Sequence, residues 1–209
     1  MSIDEIITRR NISEVVHFTT HSGLTGILHQ REVKARSLLK ADQTLEFILK
    51  LNTAKVFDAP WKGHVNLSIT RINKALFGYS ENWHPDESWR ILAFAPSIMC
   101  HEGVNFVTTN NAYGQHLKRG VGAQSLDALF ADEVLGIYGR PIRRVCGMPD
   151  SWTTDIQAEV LYPSPLATEF LRTIYVRTDQ DADDVAGVLA ALRHPAVPIK
   201  IDSTLFSRT

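Results

Sequence analysis

Apolar and polar positions along the chain divide it into short strands and helices. Val15-Val16-His17-Phe18-Thr19-Thr20 is β-branched and aromatic and predicts a strand. Ser22 follows as a candidate N-cap for a short helix whose inner face carries Leu24, Ile27 and Leu28. From Asp42 onward, Leu45, Ile48, Leu49 and Val56 recur at helical spacing, with Glu46, Lys50 and Thr53 opposite, so a second helix is expected before Pro60. Strand-like segments then run over 64–70, 90–95, 104–109, 134–138, 143–146, 157–162, 169–177 and 197–201. Between them, 72–79 and 125–130 read as short helices, and 181–193 carries Val185, Val188, Leu189 and Leu192 on one stripe before Pro195. Successive strands without intervening helices disfavour parallel βαβ winding. The pattern predicts one α+β domain over 1–209, built on a mixed or antiparallel sheet.

Length and composition fit that reading. The 209 residues suffice for one buried core, and 44% apolar with 22% charged residues is ordinary for a globular domain. Twenty-two Lys and Arg against 23 Asp and Glu leave a net charge of −1, so a nucleic-acid partner would have to be met by a local patch rather than by the whole-molecule field. Cys100 and Cys146 lack metal-type spacing, and no apolar segment follows a basic start, so a reducing cytoplasm is the expected location. No apolar run reaches membrane-spanning length.

Several chemistries have no motif behind them. G-x-S-x-G, H-E-x-x-H and zinc-spaced Cys or His clusters are all missing, so no metal site is expected. Gly120-Val121-Gly122 does not continue as a phosphate-binding fingerprint and reads as a flexible loop. The informative segment is Gln157-Ala158-Glu159-Val160-Leu161-Tyr162, where an acidic residue falls inside an apolar strand. A buried carboxylate costs free energy unless it is paired or used. Strand geometry would put Gln157 and Glu159 on one face and Ala158 and Val160 on the other. A wet polar strand face gives the same pattern. His17 is similarly two-sided, since a mid-strand histidine can simply be satisfied by a neighbouring carbonyl.

The order of these pieces resembles the DarT toxins, bacterial ADP-ribosyltransferases that modify bases of single-stranded DNA using NAD. The matching parts are the His17-Phe18-Thr19 strand with its Gly-Ile-Leu helix, the 65–71 strand ending in Arg71, the strands at 90–95 and 105–109, and Gln157-Ala158-Glu159 leading an apolar strand. The resemblance implies an ADP-ribosyltransferase-like core of mixed or antiparallel sheets with flanking helices. It also implies NAD as co-substrate, single-stranded DNA as acceptor and a cognate antitoxin of the ADP-ribosyl glycohydrolase type. Glu159 would grip the ribose and stabilise the positive charge developing as nicotinamide leaves. His17, Phe18, Thr19, Gly26 and Ser68 would hold the cofactor, Gly26 by permitting close packing, and Arg71 would neutralise its phosphates. Gln157 would orient the acceptor.

The helical stretch over the nicotinamide reads Phe47-Ile48-Leu49-Lys50-Leu51-Asn52, without the Arg that the resemblance calls for. Lys50 is the nearest cation and the candidate substitute, and the departure points to guanine rather than thymine as acceptor base. On the DNA side, Trp152, in the loop composition of 147–155, could stack on a splayed base. Arg140, Arg143 and Arg144 form a cationic cluster, and His116, Lys118 and Arg119 a second patch. Two alternatives share these residues: transfer to protein or to RNA ends, and a noncatalytic nucleotide-binding module.

Overall fold

The computed structural model describes residues 1–39, 59–114 and 116–207. The expected helix from Asp42, with Lys50 on it, lies outside the described residues. Among them, an eight-stranded sheet carries the fold. In chain order its strands are β1 (Val15–Thr20), β3 (His64–Ile69), β4 (Trp89–Phe94), β5 (Asn105–Val107), β6 (Arg119–Val121), β9 (Glu159–Pro163), β11 (Leu171–Val176) and β12 (Ile199–Ile201). In space they run β12-β11-β4-β1-β3-β9-β5-β6. Every pair is antiparallel except β11/β12, which a helix connects, so the expected mixed α+β architecture is the one formed. Short pairs add to it: β2 (Glu32–Val33) with β10 (Leu166–Ala167), and β7 (Glu133–Leu135) with β8 (Pro141–Arg143).

Helices α1 (Ile3–Arg9), α2 (His21–Gln30), α3 (Lys74–Trp83), α4 (Gly122–Asp127) and α5 (Asp179–Ala191) flank the sheet. α1 was not foreseen, although Ser2 and Glu5 form a capping box that starts it. The N-cap of α2 is Thr20 rather than Ser22. β1 runs straight into the helix, and the Thr20 hydroxyl oxygen accepts the Gly23 N–H at 3.0 Å. Gly120-Val121-Gly122 is not a free loop: the first two belong to β6, paired with β5, and Gly122 opens α4 with a φ of +79°. The strand expected at 157–162 begins only at Glu159, because Asp155 captures the Gln157 N–H in a turn. The strand expected at 143–146 is instead Pro141–Arg143, and that at 134–138 ends at Leu135, before Tyr138 turns with a φ of +57°.

One sheet face packs Val15, Leu67, Phe94, Phe106, Val160 and Ile174 against Leu24 and Leu28 of α2, Leu126 of α4, and Val185 and Leu189 of α5. The other face holds a smaller cluster of Val16, Phe77, Trp89, Ile91, Ala93 and Phe206. Each such fully buried side chain contributes about 1.5–3 kcal/mol of transfer free energy, which fixes the strand faces and the register.

Candidate active site

The site arises from an interrupted ladder. β1 pairs with β4 along its whole length, Val15↔Phe94 to Thr20↔Trp89, but with β3 only at Val15↔Ile69 and Val16↔Ser68. β3 meanwhile stays paired with β9 from His64↔Pro163 to Leu67↔Val160. Beyond Val16 the two halves of the sheet part, and a cavity of about 280 Å³ opens between them. His17, Phe18, Thr19, Gly26, Ser68 and Glu159 all line it, and the 32–35 segment with β2 covers one side.

Glu159, the first residue of β9, is 6% exposed. Its Oε2 accepts the Asn111 N–H at 3.0 Å. Asn111 is itself buried, and its Oδ1 accepts both the Arg119 Nε at 2.9 Å and a second nitrogen of that guanidinium. The carboxylate is therefore held at the cavity wall by a backbone donor, with a cation one residue behind it.

His17 bridges the closed end of the split. Its Nδ1 donates to the Asn66 carbonyl at 3.0 Å, in place of the ladder that ends one residue earlier, and this leaves Nε2 as an acceptor. Burial pushes the His17 pKa down, and the bond to Asn66 opposes this only in part. Above the unfolded value of 6.5 the ring is neutral in both states and its contacts count fully. As pH falls below that value the unfolded chain takes up the proton first, so stability is lost. Burial also lowers the His64 pKa, while burial of Glu14 raises its carboxyl, whose earlier uptake of a proton in the folded state pulls the other way. A melting profile from pH 7.5 to 5.5 should therefore be steeper for the wild type than for His17→Asn, which keeps the donor to Asn66. Equal slopes would exclude His17 as a source of acid sensitivity.

The other expected residues separate into two groups. Phe18 reaches the cavity, but its ring packs edge-on against Phe77 at 5.2 Å and tilted to Trp89 at 5.8 Å, forming a floor. Close packing belongs to Gly23, where a Cβ would meet the Thr19 Oγ1 at 2.2 Å. At Gly26 a Cβ would meet nothing within 4 Å among the described residues, so this cavity-lining glycine leaves space beside the helix backbone. Arg71 does not line the cavity: its guanidinium stacks over the Trp152 ring at 4.0 Å and reaches the Thr153 carbonyl at 3.4 Å. Trp152 is thus folded back under Arg71. Arg144 ties the same loop, donating to the carbonyls of Trp152 at 2.6 Å and Pro149 at 2.7 Å. Arg143 is exposed and pairs with Glu133 at 2.8 Å, and Arg119 stacks over Trp61 at 4.7 Å.

Gln157 lies in the turn before β9, so strand alternation does not set its direction. Its Oε1 accepts the Tyr113 hydroxyl at 2.6 Å. Asp155, 2% exposed, anchors that turn by accepting the Thr109 hydroxyl at 2.5 Å and the Gln157 N–H at 2.9 Å. Sequence reasoning missed Asn111, Tyr113 and Asp155. The signal was present in Asn110-Asn111-Ala112-Tyr113-Gly114, a turn-rich stretch of the kind on which functional groups are often mounted. It also missed Lys34, the one Lys or Arg among the described residues lining the cavity, which pairs with Glu32 at 3.1 Å.

Residues 16–207 match the family described as ssDNA thymidine ADP-ribosyltransferase, DarT. The fold is similar to the solved structure of Thermus sp. 2.9 DarT in complex with NAD+, at 15% identity and a TM-score of 0.64, covering 93% of this chain and 98% of that one. It is similar to the same Thermus protein in complex with ADP-ribosylated ssDNA, at 14% identity and a TM-score of 0.63, covering 94% and 97%. Thermosipho africanus DarTG in complex with ADP-ribose aligns at 14% identity and a TM-score of 0.59, over 93% of this chain and 51% of that one. No curated protein matches the sequence significantly.

Proposed function

The chain belongs to the DarT family of single-stranded-DNA ADP-ribosyltransferases, and from that premise we propose that it cleaves NAD in the split between β1 and β3 and transfers ADP-ribose to a DNA base, with Glu159 as the catalytic carboxylate. One observation carries the reading: Glu159 opens into the same cavity as His17 and Thr19. Glu159 supplies negative charge where the ribose carbon becomes positive as the bond to nicotinamide breaks. The new bond joins that carbon to the acceptor base, whose displaced proton passes to solvent. His17, Thr19 and Ser68 bind the co-substrate, and Lys34 takes the phosphate-neutralising role that Arg71, outside the cavity, would not fill. Gln157, fixed by Tyr113, orients the acceptor. Arg119 and Arg143 meet the DNA backbone, while Arg144 and Trp152 serve to hold the loop.

The open space at Gly26 supports a ligand lying against α2. Gly26→Leu should keep or slightly raise the melting temperature, because leucine is the better helix former by about 1 kcal/mol. It should weaken NAD binding at least tenfold by filling the cavity, as read by calorimetric titration. Unchanged affinity would move the co-substrate elsewhere.

The test of the function itself is label transfer from NAD to single-stranded DNA, RNA and lysate protein offered separately. Label on DNA alone supports the reading. Label only on RNA or protein shifts the acceptor class, and NAD binding without nicotinamide release with any acceptor identifies a noncatalytic module. For the base, the absence of Arg from 47–52 favours guanine, whereas the family description names thymidine. Mass spectrometry of the released nucleosides decides between them by which one gains an ADP-ribosyl group. Such a transferase would be a toxin held in check by an antitoxin that removes ADP-ribose.

A further inference from the structure

α3 buries Phe77 in the core yet leaves two large rings in solvent, Tyr79 at 60% and Trp83 at 44% exposure. One helical turn apart, they stack on each other with centroids 6.1 Å apart and planes at 23°. Trp83 lines the cavity together with Leu76 and Ser80 of the same helix, whereas Tyr79 does not. Tyr79, stacked on Trp83 and outside the lining, continues the aromatic surface beyond the cavity. The pair therefore runs from the cavity lining onto the exposed surface of the helix.

We infer that Tyr79 and Trp83 form a stacking platform for an unpaired base of the acceptor strand, adjacent to the base that receives ADP-ribose. The inference rests on the proposed function and adds a subsite to it. A co-substrate confined to the cavity would touch Trp83 but not Tyr79, while a strand running from the cavity over the exposed rings meets both. Near-parallel, solvent-exposed rings suit a flat heterocycle of any sequence. Bases in a duplex have both faces covered by their neighbours, so the platform selects single strands.

Tyr79→Ala should raise the KM for a single-stranded oligonucleotide about tenfold, the effect expected of one lost base stack, with kcat little changed. Tyr79→Phe should restore it. Abasic substitutions stepped along the oligonucleotide should cost the wild type a similar factor at one position and cost Tyr79→Ala nothing there. An unchanged KM in Tyr79→Ala, or equal abasic losses in both proteins, would overturn the platform. Tryptophan fluorescence titrated with the oligonucleotide alone separates the two readings. Quenching that Trp83→Phe removes supports the platform even if no acceptor is ever modified, in which case only the transfer reading fails. Modified DNA with no such quenching rejects the platform and leaves the transfer reading intact.

Discussion

Replacing Glu159 by Gln should lower ADP-ribose transfer about a thousandfold while the protein remains folded. Glutamine matches the shape of glutamate, and its amide oxygen can still accept the Asn111 N–H that now lies 3.0 Å from Oε2. What disappears is the negative charge. A charge about 4 Å from a developing cation, at an effective dielectric constant of about 20, contributes roughly 4 kcal/mol, or about three powers of ten in rate. The interaction strengthens only as the nicotinamide bond breaks, so kcat should carry the loss and the KM for NAD should change little. Glu159 is nearly buried, and removing its charge relieves a desolvation cost, so the melting temperature should hold or rise. Radiolabel transfer to an oligonucleotide, alongside a thermal melt, makes the measurement. Transfer above a tenth of the wild-type rate would remove Glu159 from the chemistry.

The second large effect is on stability. Arg90, on β4 opposite Thr19, is the largest fully buried side chain among the described residues, and its guanidinium meets the Asp181 carboxylate of α5 at 3.0 Å. It also donates to the Trp89 carbonyl at 2.9 Å and approaches His21 Nδ1 at 3.4 Å. Asp181 in addition completes the capping box of α5 with Thr178. Asp181→Ala would leave a buried cation uncompensated, at a cost of roughly 3–5 kcal/mol, with about 1 kcal/mol more for the cap. In a chain of this size that corresponds to a fall in melting temperature of roughly 10–20 °C. Adding Arg90→Met should recover part of the loss by removing the stranded charge. A double variant no more stable than Asp181→Ala would show that the cap, and not the pair, carries the effect. Because Arg90 and His21 fix the corner between β1 and α2, the single variant should also loosen the cavity wall and raise the KM for NAD.

Legibility divides by range. β1, β4, β11 and α5 could be read because β-branched and aromatic runs and a 3.6-residue period are properties of the local chain, and each segment had enough apolar positions to reveal them. Glu159 was readable because an acid inside an apolar run is costly and so conspicuous. Short elements escaped: β2, β6 and β10 have three residues or fewer, too little for a period to appear. Gln157 was misplaced because an Asp side chain two residues earlier claimed its N–H, a side-chain bond that alternation does not encode. Gly23 and Gly26 look alike in sequence. One is required by a Thr19 hydroxyl reached through the β1–α2 corner, and the other faces open space.

By itself the sequence determined the longer strands and helices and their apolar positions, and that an acid at position 159 and a histidine at 17 call for an explanation. Tertiary structure alone decided that these two residues share a cavity, that Arg71 turns onto Trp152 instead, and that Trp83, stacked on Tyr79, joins the cavity lining. The reason is that the cavity exists only where the β1/β3 ladder stops while β1/β4 and β3/β9 continue. That choice among partners distant in sequence is made by packing across the whole sheet, and no local pattern records it.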